Sequence, residues 1–155
     1  MAALSDSIER FIKELMAEDT RVELKRNELA QYFGCANSQI NYVLATRFSV
    51  DRGYLVESRR GGSGYVRVIR ISTRDVDLLS ALMERIGEAI DEDAARALIA
   101  RLYELKFVSV REARIMQSSI SAEAINLPVG CKDQLRASVL KAQIIQVFKE
   151  IGEDK

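Results

Sequence analysis

The chain has 155 residues, 48% of them hydrophobic, which is enough apolar material for one domain or two small ones. Its 23 basic and 23 acidic residues cancel, and it contains no histidine, which excludes Ser-His and Cys-His nucleophiles and the commonest metal ligand. Cys35 and Cys131 lie far apart in sequence and give no zinc-ligand spacing, so we interpret them as unpaired thiols of a reducing compartment, with a redox role left open. We expect no enzyme, no catalytic residues, no cofactor and no metal.

The first segment predicts an amphipathic helix that ends near Glu18. Asp6 and Glu9 have the spacing of a capping box. The apolar residues that follow at helical spacing are Ile8, Phe11, Ile12, Leu15 and Met16. Acidic residues occur throughout residues 1–19, so the segment does not resemble a signal peptide. No stretch approaches the roughly 20 apolar residues of a membrane span, and we expect a cytoplasmic protein that does not associate with membranes.

Residues 26–46 have the pattern of a helix-turn-helix. After a short extended piece at Val22 and Leu24, we predict helices over about 26–33 and 37–46. Gly34 stands between them, where a tight turn needs a residue that tolerates positive φ. Asn37 or Ser38 suits the N-cap of the second helix. Its inward stripe is Ile40 and Val43, which leaves Ser38, Gln39, Asn41 and Tyr42 facing outward.

A basic hairpin follows the two helices. Residues 54–59 and 65–71 are rich in β-branched and aromatic residues and predict two strands. The connecting segment contains Arg59, Arg60, Gly61, Gly62, Ser63 and Gly64 and has the composition of a glycine-tipped wing. From Thr20 to Arg74 there are ten lysines and arginines against four acids, a net charge of +6, whereas residues 75–155 carry eleven against fourteen, a net of −3. The basic part of the chain is thus the part with the helix-turn-helix pattern.

These residue types match the chemistry of DNA recognition. The amides of Gln39 and Asn41 can pair with adenine, and Arg47 can reach phosphate or guanine. Ser38 and Tyr42 add hydroxyls on the same face. Lys25 and Arg26 precede the first motif helix, where cations commonly contact the DNA backbone. Arg59 and Arg60 beside Gly61, Gly62, Ser63 and Gly64 suit insertion into a narrow A·T-rich minor groove. For each residue, the alternative is an ordinary solvated polar side chain.

Beyond Ser72–Thr73 the pattern becomes wholly helical. One apolar stripe runs from Leu78 to Ile90 and another from Leu98 to Leu105, and Ser109 with Glu112 forms a second capping box. A last helix is predicted from about Lys132 to Glu150, with Gly152 placed to end it. Its apolar residues occupy more than one face: Leu135, Val139, Leu140, Ala142, Ile144, Ile145, Val147, Phe148 and Ile151. Two interpretations stay open, a subunit interface and a helix buried within its own domain.

The predicted fold is therefore mainly α with a small β-wing. It comprises an N-terminal winged helix-turn-helix DNA-binding domain over residues 1–73 and a C-terminal all-α dimerisation domain over residues 74–155. The segments Ser38–Val43, Thr46–Phe48, Arg52–Tyr54 and Val56–Tyr65 resemble the CtsR family, the class three stress-gene repressors of low-GC Gram-positive bacteria. The resemblance covers nearly the whole chain and is most specific from Lys25 to Ile71.

This resemblance implies a homodimeric repressor of genes for Clp proteases and other heat-shock proteins. Such a repressor binds double-stranded, A·T-rich tandem operator repeats and releases them on heating through the glycine-rich wing, with Arg60 entering the minor groove. The resemblance also implies a protein-arginine kinase with its adaptor, and the Clp ATPase and protease, as partners. Ser63 stands where family members commonly carry a glycine.

A second interpretation comes from a different class of protein. Winged helices also serve as protein-interaction scaffolds without sequence-specific DNA binding, because a fold does not fix a function. A scaffold has no need of a +6 charge concentrated around the motif, which favours the repressor. The salt dependence of DNA binding distinguishes the two, since contacts with phosphates release counterions.

Overall fold

The computed structural model describes residues 2–59, 64–128 and 130–151, and these residues fall into two compact units that divide between Val76 and Asp77. The first unit contains α1 (Ala2–Leu15), β1 (Arg21–Lys25), α2 (Arg26–Phe33), α3 (Asn37–Arg47), a single 3₁₀ turn (Val50–Arg52), β2 (Tyr54–Ser58) and β3 (Tyr65–Arg70). The helices α4 (Thr73–Ile86), α5 (Glu92–Glu104), α6 (Val110–Ser119) and α7 (Lys132–Lys149) follow. The predicted class, mainly α with a small β-wing, is confirmed.

Three antiparallel strands form the sheet of the first unit in the order β1-β3-β2. Val22 pairs with Val68, and Val68 pairs with Val56 on its other side. The alternating pattern of β3 buries Val66 and Val68 against the helices, while Arg67 faces away from them. The core of this unit consists of Ile8, Ile12, Met16, Leu24, Leu29, Ala30, Ile40, Val43, Leu44, Phe48, Val66 and Val68.

The helix-turn-helix has the predicted boundaries to within a residue. Gly34 ends α2 in the left-handed conformation at φ 63°, and Cys35 N donates to Ala30 O at 2.9 Å. The predicted N-cap of α3 was wrong, because Ala36 occupies that position. Ala36 has no side chain that could accept from the first turn of α3, but Gln39 Oε1 accepts from the Ala36 backbone N–H at 3.1 Å. The side chain of Asn37 instead donates to Asn27 Oδ1 at 2.8 Å.

The predicted start of the first helix was also wrong. The helix α1 begins at Ala2 and ends at Leu15, so Asp6 lies in its middle rather than at its N-cap. Asp6 and Glu9 have another partner, as the next section describes, and a capping-box spacing does not by itself show where a helix starts. In the second unit the box of Ser109 and Glu112 is confirmed, with both hydrogen bonds at 3.0 Å or less.

The second unit buries apolar residues from all of its helices. Gly87 in the left-handed conformation ends α4, so Ile90 lies in the following loop and not in the predicted long stripe. On α7 the buried side is formed by Ala137, Leu140, Ile144 and Phe148. Val139, Ile145 and Val147 are half-buried, and Leu135 and Ala142 are exposed. Gly152, the predicted helix terminator, lies outside the described residues.

Candidate nucleic-acid interface

The exposed side of α3 carries the residues predicted to contact bases. Ile40, Val43 and Leu44 point into the core, and this fixes which side of the helix faces solvent. Ser38, Asn41 and Tyr42 lie on that outer side, with Tyr42 61% exposed. The spacing of these three residues places them on one helical face. They form a row of hydroxyl and amide groups without a charge.

Gln39 lies at the edge of this row and is half-buried. Its Oε1 accepts from the Ala36 backbone N–H, and this contact fixes the amide at the start of the helix. The Nε2 group remains as the donor, and oxygen and N7 acceptors on base edges are its possible partners. Gln39 thus binds the backbone at the N-terminus of α3 and also lies beside the outer row.

Arg26 lies at the first position of α2 and reaches the β-hairpin. Its Nη2 donates to Ser58 Oγ at 3.1 Å, and Nη1 lies 3.8 Å from where a Cβ on Gly64 would stand. Its Nε is buried and has no hydrogen-bond partner within the described part of the chain. Lys25, just before it, makes a long contact of 3.8 Å with Glu28 Oε1. An open groove between α3 and the hairpin is lined by Arg26, Asn41, Ala45, Phe48, Tyr54 and Ser58.

The base of the hairpin is closed by Arg59 and Tyr65. Arg59 N donates to Tyr65 O at 3.1 Å, and the guanidinium lies 6.0 Å from the centre of the Tyr65 ring. Arg59 Nε is 3.9 Å from Glu57 Oε1, and the side chain is largely exposed. Gly64 has φ +60°, a conformation that favours glycine. Arg60, Gly61, Gly62 and Ser63 lie outside the described residues, so their predicted contacts stay predictions.

Two arginines of the basic segment are bound by acids. Arg67 lies between Glu23 and Glu57 in the register of the sheet, and its Nη2 is 2.8 Å from Glu23 Oε1. Arg47 Nη1 donates to Asp6 Oδ1 at 2.8 Å and to Glu9 Oε1 at 2.6 Å. The α2–hairpin edge consists of Lys25, Arg26 and Arg59. Lys25 and Arg59 lie 3.8 and 3.9 Å from their acids, whereas the shortest acid contacts of Arg47 and Arg67 are 2.6 and 2.8 Å.

The contacts around Arg47 also shift two pKa values. Hydrogen bonds to Asp6 and then Glu9 raise the pKa of Arg47 above its ordinary value. The pKa of Glu9 is lowered, chiefly by the hydrogen bond from Lys13 at 2.6 Å and then, against the opposing effect of burial, by the one from Arg47. Both shifts favour the charged forms, so Arg47 and Glu9 form an ion pair at neutral pH.

Sequence reasoning did not find Ser58, Asp6 and Glu9 as partners of the predicted site residues. Ser58 is 32 residues from Arg26, and Asp6 is 41 residues from Arg47. A misassigned capping box was the one signal that singled out Asp6 and Glu9. Within the described residues no cluster of cysteines and carboxylates could hold a metal ion, and no helix is long and apolar enough to cross a membrane.

Comparison with known proteins identifies the family. The model of the CtsR N-terminal HTH domain matches residues 3–72, and that of the CtsR C-terminal dimerization domain matches residues 74–145. The transcriptional regulator CtsR of Geobacillus stearothermophilus is 42% identical over 93% of this chain and 96% of its own length. The transcriptional regulator CtsR of Bacillus subtilis is 39% identical over 91% of this chain and 94% of its own length.

A solved structure of a relative is also similar. The crystal structure of CtsR in complex with a 26bp DNA duplex is 41% identical, covers 93% of this chain and 97% of that chain, and has a TM-score of 0.47. The curated relatives are named as transcriptional regulators and not as enzymes. The resemblance found in residues 38–65 therefore extends over both units, and the chain belongs to the CtsR family of transcriptional regulators.

Proposed function

We propose that the chain is a dimeric, heat-sensing repressor that acts in the cytoplasm. It binds A·T-rich tandem operator repeats upstream of Clp and other heat-shock protease genes. The observation that carries the proposal is the placement of an uncharged polar row on α3 beside a groove bordered by Arg26. An outer helix face of this kind suits the major groove, and cations at its border suit phosphates.

The proposed interface consists of Lys25, Arg26, Ser38, Gln39, Asn41, Tyr42 and Arg59, together with Arg60, Gly61, Gly62, Ser63 and Gly64 of the wing. Asn41 and Gln39 contact base edges in the major groove, and the hydroxyls of Tyr42 and Ser38 donate hydrogen bonds to the DNA backbone. Arg59 and Arg60 enter the adjacent minor groove, where A·T-rich sequence strengthens the negative potential. Arg47 is considered separately below.

Heat release follows from the composition of the wing. Glycine loses more backbone freedom on ordering than any other residue, and Gly61, Gly62 and Gly64 stand close together. Fixing such a segment against DNA has an entropic cost of about 1–2 kcal/mol per residue, and this cost grows with temperature. The affinity for the operator then falls on heating while both units remain folded.

Dimerisation occurs through the C-terminal unit. Leu135, Val139, Ala142 and Gln146 lie at helical spacing on the outer side of α7 and carry no charge. A second copy covering this side pairs two helix-turn-helix units on a tandem repeat. The proposed further partners are a protein-arginine kinase with its adaptor, and the Clp ATPase and protease. Phosphate on a guanidinium such as that of Arg60 places negative charge where DNA phosphates approach.

The test is fluorescence anisotropy with an A·T-rich tandem-repeat duplex and a scrambled duplex of the same composition, stepped through temperature. Circular dichroism of the same samples reports folding. We expect specific binding at growth temperature that is lost before the protein unfolds. Arg60→Ala should abolish specific binding, whereas Arg101→Ala, which removes an exposed arginine of the second unit, should not.

Three results would contradict the proposal. Equal affinity for both duplexes would favour the protein-interaction scaffold, especially if binding showed little dependence on salt. Loss of binding that coincides with unfolding would reject the wing as the sensor. Retained specific binding by Arg60→Ala would reject the minor-groove contact.

A further inference from the structure

Arg47 is bound by two carboxylates of another helix. It occupies the last turn of α3, and its Nη1 donates to Asp6 and Glu9 of α1 at 2.8 and 2.6 Å. Lys13 donates to the other oxygen of Glu9 at 2.6 Å. The side chains of Arg47 and Glu9 are 26% and 16% exposed, so the contact is shielded more than an ordinary surface ion pair.

The charges within this cluster balance. Two cations face two carboxylates, and Arg47 contributes no excess positive charge to the surface of the first unit. Arg47 Nη1 has two hydrogens, and it donates to two carboxylates, so this nitrogen has no donor left for DNA. Arg47 therefore offers DNA fewer donors and less net charge than an arginine without acid partners, and the geometry favours a role in holding α3.

The helices α1 and α3 also share an apolar core. Ile8 and Ile12 of α1 belong to the same buried cluster as Ile40 and Val43 of α3. The hydrophobic effect has no direction, and side-chain packing restricts the angle between two helices only to within about 15–20°. Hydrogen bonds do have direction, and the bonds from Arg47 to Asp6 and Glu9 fix one end of α3.

Small rotations of α3 matter for reading bases. An 11-residue helix is about 15 Å long, so a rotation of about 5° at the Arg47 end moves the other end by about 1 Å. Contacts with base edges tolerate displacements of only about 0.5 Å. Ser38 and Asn41 lie toward that other end and are therefore sensitive to the anchoring of Arg47.

We propose that Arg47 is a positioning residue, which holds the recognition helix against Asp6 and Glu9 of α1 in the orientation needed for specific binding. The inference rests on the proposed DNA-binding function. In this role Arg47 contributes to sequence specificity and not to the affinity for DNA phosphates. Asp6 and Glu9 thereby become part of the DNA-reading apparatus although they are negative and do not touch DNA.

The first test compares Arg47→Met with Arg26→Met in the full chain. For Arg47→Met we expect at least a tenfold weaker affinity for the operator, affinity for scrambled DNA within about twofold, and an unchanged slope of log K against log salt. For Arg26→Met, the slope should become less steep by about 0.9 because one phosphate contact is lost. A salt slope that becomes less steep by the same amount in Arg47→Met would overturn the proposal.

The second test removes the acids and keeps Arg47. Asp6→Ala with Glu9→Ala removes both acceptors and makes the first unit more positive by two charges, which by electrostatics alone strengthens binding to DNA. The positioning role predicts the opposite for the operator, namely an affinity at least tenfold weaker. The affinity for scrambled DNA should not decrease. Tighter operator binding with a steeper salt slope would show that Arg47 is a direct contact held back by the acids.

A control separates orientation from loss of stability. Ile69→Val shortens a buried side chain of β3 that makes no part of the Arg47 cluster. At temperatures chosen so that both variants are equally far below their melting points, Ile69→Val should retain operator specificity and Arg47→Met should not. Loss of specificity in both variants would reduce the effect to stability and overturn the proposal.

Hydrogen exchange provides a readout that does not depend on DNA. If the wild-type chain binds both duplexes equally, the proposed function fails, and the amides of α3 still test the contact. Faster exchange across α3 in Arg47→Met than in Ile69→Val would support Arg47 as the anchor of this helix. Equal exchange rates in the two variants would overturn it.

Discussion

The second unit contains a buried arginine whose removal should cost more stability than any surface ion pair. Arg136 on α7 is 3% exposed. Its Nε donates to Ile120 O at 2.8 Å, and its Nη1 donates to Ile90 O at 3.1 Å and to Asp133 Oδ1 at 2.6 Å. These bonds join α7 to the end of α6 and to the loop before α5. Ile90 N in turn donates to Asp133 O at 3.1 Å, which closes the arrangement.

Arg136→Met keeps most of the side-chain volume and removes the donors. Two carbonyls, of Ile120 and Ile90, then lose their side-chain donor, at about 1–3 kcal/mol for each buried group left unsatisfied. Asp133 is 52% exposed and returns to water, so it adds little. We expect the free energy of unfolding of this unit to fall by about 3 kcal/mol, and Asp133→Asn to lower it by less than about 1 kcal/mol.

Hydrogen exchange of peptides from α5 and α7 measures the effect in the full chain, because it reports the second unit separately from the first. Slowly exchanging amides in both helices should exchange about 100-fold faster in Arg136→Met, since 1.4 kcal/mol corresponds to a factor of ten. An effect of Arg136→Met no larger than that of Asp133→Asn would refute the reasoning. It would mean that the two carbonyls are satisfied without the arginine.

Two further predictions concern backbone strain and pH. Lys106 follows α5 with φ 66°, a left-handed conformation that glycine adopts without strain, so Lys106→Gly should stabilise the second unit by about 1 kcal/mol in thermal unfolding, and Lys106→Ala should not. The lowered pKa of Glu9 means that its contribution to stability is fully present above the unfolded-state value near 4.5 and is lost as the pH falls below it. The loss of stability between pH 5 and 3 should therefore be smaller in Glu9→Gln than in the wild type, as measured by urea unfolding.

The sequence predicted those parts of the fold that depend on neighbours along the chain. Gly34 after an apolar helix located the turn, and the stripe of Ile40 and Val43 located the reading helix together with its solvent side. The capping box of Ser109 and Glu112 was equally local. Periodicity and left-handed glycines act over a few residues, so a single sequence contains the whole signal.

Contacts between distant residues could not be predicted in this way. The same spacing that predicted a capping box at Ser109 failed at Asp6, because a carboxylate can cap its own helix or bind an arginine elsewhere. That choice depends on where Arg47 lies in three dimensions. The bond from Arg26 to Ser58 joins the start of one helix to the end of a strand and has no local signature.

The distribution of charge illustrates the difference between composition and structure. The excess of +6 over residues 20–74 indicated a DNA-binding half, yet Arg67 lies between Glu23 and Glu57 in the sheet and Arg47 between two acids of α1. Each cation that neutralises a phosphate releases counterions condensed on the DNA, and this release drives association. A cation already paired with carboxylates must break or share that pairing before it neutralises a phosphate. Lys25, Arg26 and Arg59 should therefore contribute more to the affinity for DNA than Arg47 and Arg67 do. The two acid-bound arginines should instead stabilise the structure of the first unit. Under the positioning role proposed above, two of the acids that bring the net charge to zero, Asp6 and Glu9, help to hold the reading surface in place.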